Sequence, residues 1–428
     1  MADISIRDSF LFIAEFNHFY PMENLIETRW KKNLLFIFAA QLLSIAGFSF
    51  AFPFLPYFIE ELGVSAGDEV ARWTGLLHAA TAFMMAWAAP VWGILSDRFG
   101  RKLMVVRAMF SGTLILFLLG MAQTVETVFI LRLMQGMFTG TITACLALTA
   151  SIVPDNRQGQ AMGLMQAAIF AGNTFGPFAG GLMADYFGYR NAFFCGSLMI
   201  LSGALSVLFF VDSDRAACSS AKDNRFNNLN TPGKKKLPYK KMIAAAGLFF
   251  LLAIARMNLL PMIPLYIKEI APESSMPATL NGGVNALLGI SAIVAGLYFG
   301  KLSDTVSPGN IIIRGALLTA PAVLLLYFNS SLIILFPIIM MVGFFGGGLD
   351  APLNKLLSSS VPRESRGKAF GFAASFKCIG WGTASLLAGF TAGTFGIRTV
   401  FAFGSGYFLL FALAAFLITR SLSRRYKA

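Results

Sequence analysis

The sequence predicts an all-α membrane protein of twelve transmembrane helices in two six-helix repeats. Three observations carry this prediction. Of 428 residues, 56% are hydrophobic and only 13% charged, with a mean hydropathy of +0.68. A soluble chain carries about 25% charged residues. Apolar runs long enough to cross a bilayer, about 20 residues, recur along the chain. Finally, the two halves repeat each other at a nearly constant offset.

The runs are 33–58, 73–95, 103–122, 126–152, 160–186, 191–211, 242–267, 280–300, 310–328, 331–356, 368–392 and 398–419. Short polar turns divide them. The ninth and tenth are separated only by Asn329–Ser331. One long polar, basic and Asn-rich connection, 212–241, falls midway. The expected layout is an N-terminal extension (1–32), a six-helix bundle (33–211), a linker (212–241), a second bundle (242–420) and a tail (421–428). The extension contains a broken apolar stretch too short to span and lacks the basic start and cleavage site of a signal peptide. Met22 is an alternative start to Met1.

The repeat is explicit. VPDNRQGQAMG from Val153 matches VPRESRGKAFG from Val361 at an offset of 208. The same offset aligns Gly172 with Gly380, Gly181 with Gly389, Gly188 with Gly396, Arg190 with Arg398 and Phe193 with Phe401. GILSD from Gly93 matches GKLSD from Gly300 at 207. Two parallel repeats suit a transporter that rocks one half against the other around a central site.

The chain is also basic, with 34 Lys+Arg against 21 Asp+Glu and a net charge of +13. If the N-terminus faces the cytosol, 23 basic residues fall in cytosolic segments and four (Arg72, Arg190, Lys268, Arg398) outside. This bias places both termini inside the cell. The excess is therefore topological. A soluble enzyme is excluded because its surface could not be made polar, and a nucleic-acid-binding chain because it would be polar and charge-rich. Four dispersed Cys and two His (His18, His78) form no metal or redox pattern. No GxxxxGK[ST] is present, so no ATP site is expected, and a gradient would supply the energy.

Three motifs carry chemistry. GILSDRFGRK (Gly93–Lys102) lies between the second and third helices. Gly93 allows close helix approach, Asp97 caps or pairs near a helix start, and Gly100 makes the turn. Read by itself, it is either a positive-inside loop or a conformational element. RLMQG (Arg132–Gly136) places an arginine inside the fourth helix, where a charge needs a partner or a wet cavity; helix pairing and a coupling role are both open. Gly163, Gly172, Gly176, Pro177, Gly180 and Gly181 of the fifth helix read G-x8-G-x3-G-P-x2-G-G. Glycines permit close helix approach and proline bends the helix.

These motifs, from about Asn33 to Arg420, resemble the major facilitator superfamily, in particular its drug:proton antiporter branch. The resemblance implies a conformational latch for Gly93, Asp97, Arg98, Gly100 and Arg101. It places a degenerate second copy at Asp304, which lacks the following basic residues. It implies proton coupling for Arg132 and export for the fifth-helix glycine pattern. It also implies that the first, fourth, seventh and tenth helices line the cavity, so that Arg132, Arg256 and Asp350 face the substrate path.

The remaining buried charges are Arg256, Asp350 and Lys377. At 1.5 Å per residue, Asp350 lies roughly 10 Å, and Lys377 roughly 14 Å, above the same ends of consecutive helices. An ion pair is expected, either static or with Asp350 as the protonatable switch. Lys355, near a helix end, is expected to snorkel. His78 reads as a packed or pore-edge residue. The first helix lacks the carboxylate carried by exporters of lipophilic cations; Gln41 is its candidate polar group. Three in-membrane cations against Asp350 favour anionic, zwitterionic or neutral amphipathic substrates.

The expected protein is a cell-membrane secondary transporter: a monomer binding lipid, protons and a small molecule, with no cofactor. It would export amphipathic molecules by alternating access. The alternatives are an exporter of one dedicated metabolite, such as a siderophore or sugar, and a non-transporting membrane sensor. A membrane enzyme finds no catalytic constellation.

Overall fold

The computed structural model describes residues 29–51, 54–154, 157–212, 239–361 and 366–424. The side chains of residues 29, 51, 97, 239–242, 360, 366–368 and 421–424 lie outside this description. So do most of the N-terminal extension, most of the linker and part of the tail.

The described chain is helical throughout, and its helices group into twelve spans. The first is α1 (Arg29–Ala51) and α2 (Leu55–Glu61); the second and third are α3 (Gly67–Phe99) and α4 (Arg101–Met121). The fourth is α5 (Val125–Phe138) and α6 (Thr141–Ile152), followed by α7 (Gln158–Phe187) and α8 (Tyr189–Phe210). The seventh is α9 (Tyr239–Met257), a short 3-10 turn (Leu260–Met262) and α10 (Ile263–Ile270). Then come α11 (Pro277–Thr305) and α12 (Pro308–Phe328), and the tenth span is α13 (Leu332–Gly347) with α14 (Asp350–Ser360). The last two are α15 (Arg366–Phe395) and α16 (Ile397–Arg424).

Helices overrun the apolar runs because polar residues at their ends continue the hydrogen-bond ladder outside the hydrocarbon. Thus the second span starts at Gly67 and the seventh at Tyr239. Ten spans among the described residues are apolar enough to cross a membrane by length and composition. The fifth and eleventh, α7 and α15, are not among the ten. Both are glycine-rich, and polar groups such as Gln166, Asn173, Lys377 and Thr383 dilute their hydropathy.

The repeat reappears in the backbone. Gly188 (φ 87°) and Gly396 (φ 90°) make the same left-handed turn after α7 and α15, which only glycine adopts cheaply. Gly140 and Gly348, also 208 apart, interrupt the fourth and tenth spans. The apolar run 126–152 gave no sign of its break, because Gly140 (φ 111°) is flanked by the uncharged Thr139 and Thr141, with no proline or charge beside it.

Two apolar cores form. One lies wholly in the second half. The other belongs to the first half but takes in Met262, Leu265, Ala278, Ala388, Ala392 and Val400. These six stand at the end of the molecule opposite the termini, so the halves share a core there.

Candidate functional site

The breaks in the seventh and tenth spans present charge at helix ends. Arg256 stands in the last turn of α9, and Asp350 in the first turn of α14. A cation at a helix C-terminus and an anion at an N-terminus are both favoured by the peptide dipoles. The two side chains form an ion pair through Arg256 Nη1 and Asp350 Oδ2. Lys377 of α15 donates from Nζ to the other oxygen, Asp350 Oδ1, at 3.1 Å. The expected Asp350–Lys377 pair is present, and the structure adds Arg256 to it.

These side chains keep exposures of 24% (Arg256), 32% (Asp350) and 34% (Lys377), so none of the three is fully buried. Arg256 also borders an apolar cavity with Leu259, Ile263, Leu288, Ile339 and Phe408. The arrangement holds one carboxylate between two cations, with apolar surface alongside. Among the described residues, no group of His, Cys, Asp and Glu suits a metal ion.

Arg132 is elsewhere. It is 1% exposed and packs between the second and fourth spans. Its Nη1 donates to Gln135 Oε1 at 2.9 Å, which accounts for the R-x-x-Q spacing. Thr81 Oγ1 donates to the Arg132 carbonyl at 3.1 Å. Gly136 meets the Thr81 carbonyl and Met84, so the final glycine of the motif lets α3 approach. His78, on α3 one turn before Thr81, has Nδ1 3.0 Å from the Thr74 carbonyl. Gln41 is fully buried, and its amide has no hydrogen-bond partner among the described residues. Arg132 and Gln41 are therefore both buried within the first half of the chain.

Sequence reasoning missed Arg107. Its guanidinium lies 3.4 Å from the centre of the Trp92 ring and donates to the Phe138 carbonyl at 2.9 Å. Ser111 Oγ donates to the same carbonyl at 3.0 Å, and Trp92 Nε1 to Met137 O at 2.6 Å. The break at Gly140 orphans these carbonyls, and neighbouring spans satisfy them. An arginine inside the third apolar run was the available signal.

The loop motif is divided. Gly100 (φ 98°) ends α3 and starts α4, as a turn glycine should. The Asp97 side chain lies outside the described residues. Arg98 lies over Phe99, and Arg101 Nη1 donates to Ala147 O at 3.2 Å. A Cβ on Gly93 would meet no atom within 4 Å, so the expected close approach is absent. In the second copy, Asp304 receives its cation from Lys355 of α14, whose Nζ also donates to Ser303 O at 2.7 Å. Lys355 snorkels to a named partner.

The fifth-span glycines separate into two sets. A Cβ on Gly172 would lie 2.8 Å from Ile45, one on Gly176 2.9 Å from Ser49, and one on Gly180 would enter the Phe50 backbone. These three seat α7 on α1. Gly181 instead faces Ala278 of the other half, and Gly282 approaches the Pro177 carbonyl. Gly163 has open space and takes no part. Asp185, two turns after Pro177, accepts from Ala278 N at 3.2 Å and Thr279 N at 2.7 Å. Lys268–Glu60 (2.7 Å) and Tyr57 Oη–Pro264 O (2.7 Å) also cross between halves at this far end. Thus the two halves are joined at the end opposite the termini.

The chain matches the family model for the Major Facilitator Superfamily twice, over residues 37–244 and 245–427. It is 30% identical over 400 residues to multidrug resistance protein MdtG of Citrobacter koseri, covering 94% of this chain and 97% of that one. Identity to MdtG of an Escherichia coli strain is 29% over 405 residues, covering 95% and 98%. Among solved structures, an inward-facing bacterial homologue of the lysosomal transporter Spinster superposes with a TM-score of 0.76 at 13% identity, covering 90% and 96%. The human organic anion transporter MFSD10 (TETRAN) gives 0.66 at 18%, covering 91% and 100%. Two tandem matches, the whole-length relatives and the shared fold agree with the repeated six-helix geometry: the chain belongs to the major facilitator superfamily.

Proposed function

We propose that the chain is a proton-coupled antiporter that exports small amphipathic molecules, drugs among them, across the cell membrane. The observation that carries the reading is Asp350, held between Arg256 and Lys377 where two broken spans meet, with Arg256 bordering an apolar cavity. The whole-length likeness to proteins named for multidrug resistance supports it. With both termini cytosolic, the joined end is the outer one, and this conformation receives substrate from the cytosol. Asp97, Arg98 and Arg101 are assigned to the latch, and the Gly181–Ala278 contact to the outer seal.

Linkage sharpens the substrate class. With Asp350 ionised, the cluster carries a net +1; with Asp350 protonated, it carries +2. An anion therefore binds best to the protonated cluster and would travel with the proton. Exchange requires the opposite preference, a substrate that binds the ionised cluster. Neutral and zwitterionic amphiphiles that donate hydrogen bonds to Asp350 meet that requirement, and the anionic alternative does not.

The test is transport in proteoliposomes with an imposed pH gradient. We expect gradient-driven flux of a neutral amphiphile such as chloramphenicol, lost in Asp350→Asn. Gradient-driven flux of ethidium that Asp350→Asn abolishes would overturn the substrate assignment. Full gradient-driven flux in Asp350→Asn would overturn the proton site.

A further inference from the structure

The eleven-residue helix α14 carries two ionic anchors. Asp350, at its head, binds Arg256 of the seventh span and Lys377 of the eleventh. Lys355, five residues later, binds Asp304 and the Ser303 carbonyl at the end of α11. The rise between the two anchors is about 7.5 Å. N-terminal to α14 stands the run Gly346-Gly347-Gly348, where the tenth span breaks. Gly347 faces Ala292 of α11, and a Cβ on Gly348 would lie 2.5 Å from Phe299 of the same helix. Thus both the hinge of α14 and its Lys355 anchor rest on α11. At its other end, α11 is the helix that meets α7 across the halves, through Gly181–Ala278, Gly282–Pro177 and Asp185.

We propose that α14 is the rod that transmits proton binding to the inter-half contact, with Lys355 and Asp304 as its positioning residues. Protonation of Asp350 releases the head of the rod from two cations. A short stiff helix pivoting on a glycine run passes that release to α11 through the Lys355 anchor. Lys355 also explains how the second motif copy works without its own basic residues: the cation arrives from the tenth span. In the first half the equivalent position is Ala147, 208 residues earlier, whose carbonyl is bonded by Arg101. The first half has no charged anchor at that place, so the link is particular to the half that holds Asp350.

This inference rests on Asp350 being the proton site. The experiment uses full-length protein in proteoliposomes and compares two fluxes of chloramphenicol: uptake driven by a pH gradient, and exchange at equilibrium without a gradient. Lys355→Met and Asp304→Asn should each lower the ratio of driven flux to exchange about tenfold, within the usual range of coupling energies. The double swap Lys355→Asp with Asp304→Lys should restore most of that ratio. If Lys355→Met and Asp304→Asn both leave the ratio within about twofold of wild type while Asp350→Asn abolishes driven flux, the rod is overturned and the proton site stands. If both fluxes fall together and the swap restores neither, Lys355 is structural only and the proposal fails. Driven flux that survives in Asp350→Asn defeats the proton site itself, and with it the rod.

Discussion

The fourth and tenth spans break at glycines 208 residues apart, yet the two breaks are finished differently. At Gly140, the freed carbonyls are closed by Arg107, Ser111 and Trp92 from neighbouring spans. At Gly348, the described hydrogen bonds include no side-chain donor to the carbonyls just before the break, and the next helix opens with Asp350 between two cations. One repeat uses an arginine to satisfy the backbone; the other gathers its charges around a carboxylate. In the proposed mechanism that carboxylate gains and loses a proton, so the first break is rigid and the second responsive.

The largest effect should come from the responsive break. Asp350→Asn should lower gradient-driven transport by at least about a hundredfold, the loss expected when a proton-accepting group is removed. Thermal stability of that variant should fall as well, since neutral Asn leaves Arg256 and Lys377 without a counter-charge. Next is the far-end seal: Gly181→Val puts a side chain into the Ala278 backbone. Transport should fall by more than about tenfold because close helix approach there needs a small residue. Arg107→Met tests the fixed break. It removes a donor from the Phe138 carbonyl and should cost about 1–3 kcal/mol, read as lowered thermal stability in detergent. Gly140→Ala should cost about 1–2 kcal/mol at a φ of 111°. The smallest effect belongs to Glu60→Gln. The Lys268 side chain of that pair is 53% exposed, so stability should change by less than about 1 kcal/mol. An Arg107→Met effect on proton coupling equal to that of Asp350→Asn would erase the distinction between the breaks.

The architecture was legible because bilayer thickness imposes run lengths and the repeat imposes offsets. The split at Asn329–Ser331 falls between α12 and α13, and Gly188 and Gly396 take the same turn. Asp350–Lys377 was legible from helix depth. Arg256 as the second partner was not, because depth along a helix does not give its facing. Gly163 and Gly93 match their patterns, yet a Cβ on either would meet no described neighbour, whereas one on Gly172, Gly176, Gly180 or Gly181 would. A motif records residue type, and packing depends on which helix comes alongside. Arg132 was legible as a costly buried charge, but its burial between two spans of one bundle needed coordinates. Asp185 was legible as a charge at the end of the fifth apolar run, but its partners were not, since they are backbone amides of the other half.

The central claim is that substrate and proton exclude each other at Asp350. It is tested most directly by adding chloramphenicol to weakly buffered detergent-solubilised protein and following pH. Wild type should release protons in proportion to binding, and Asp350→Asn should bind while releasing none. Equal release from both proteins, or proton uptake by wild type, would contradict it.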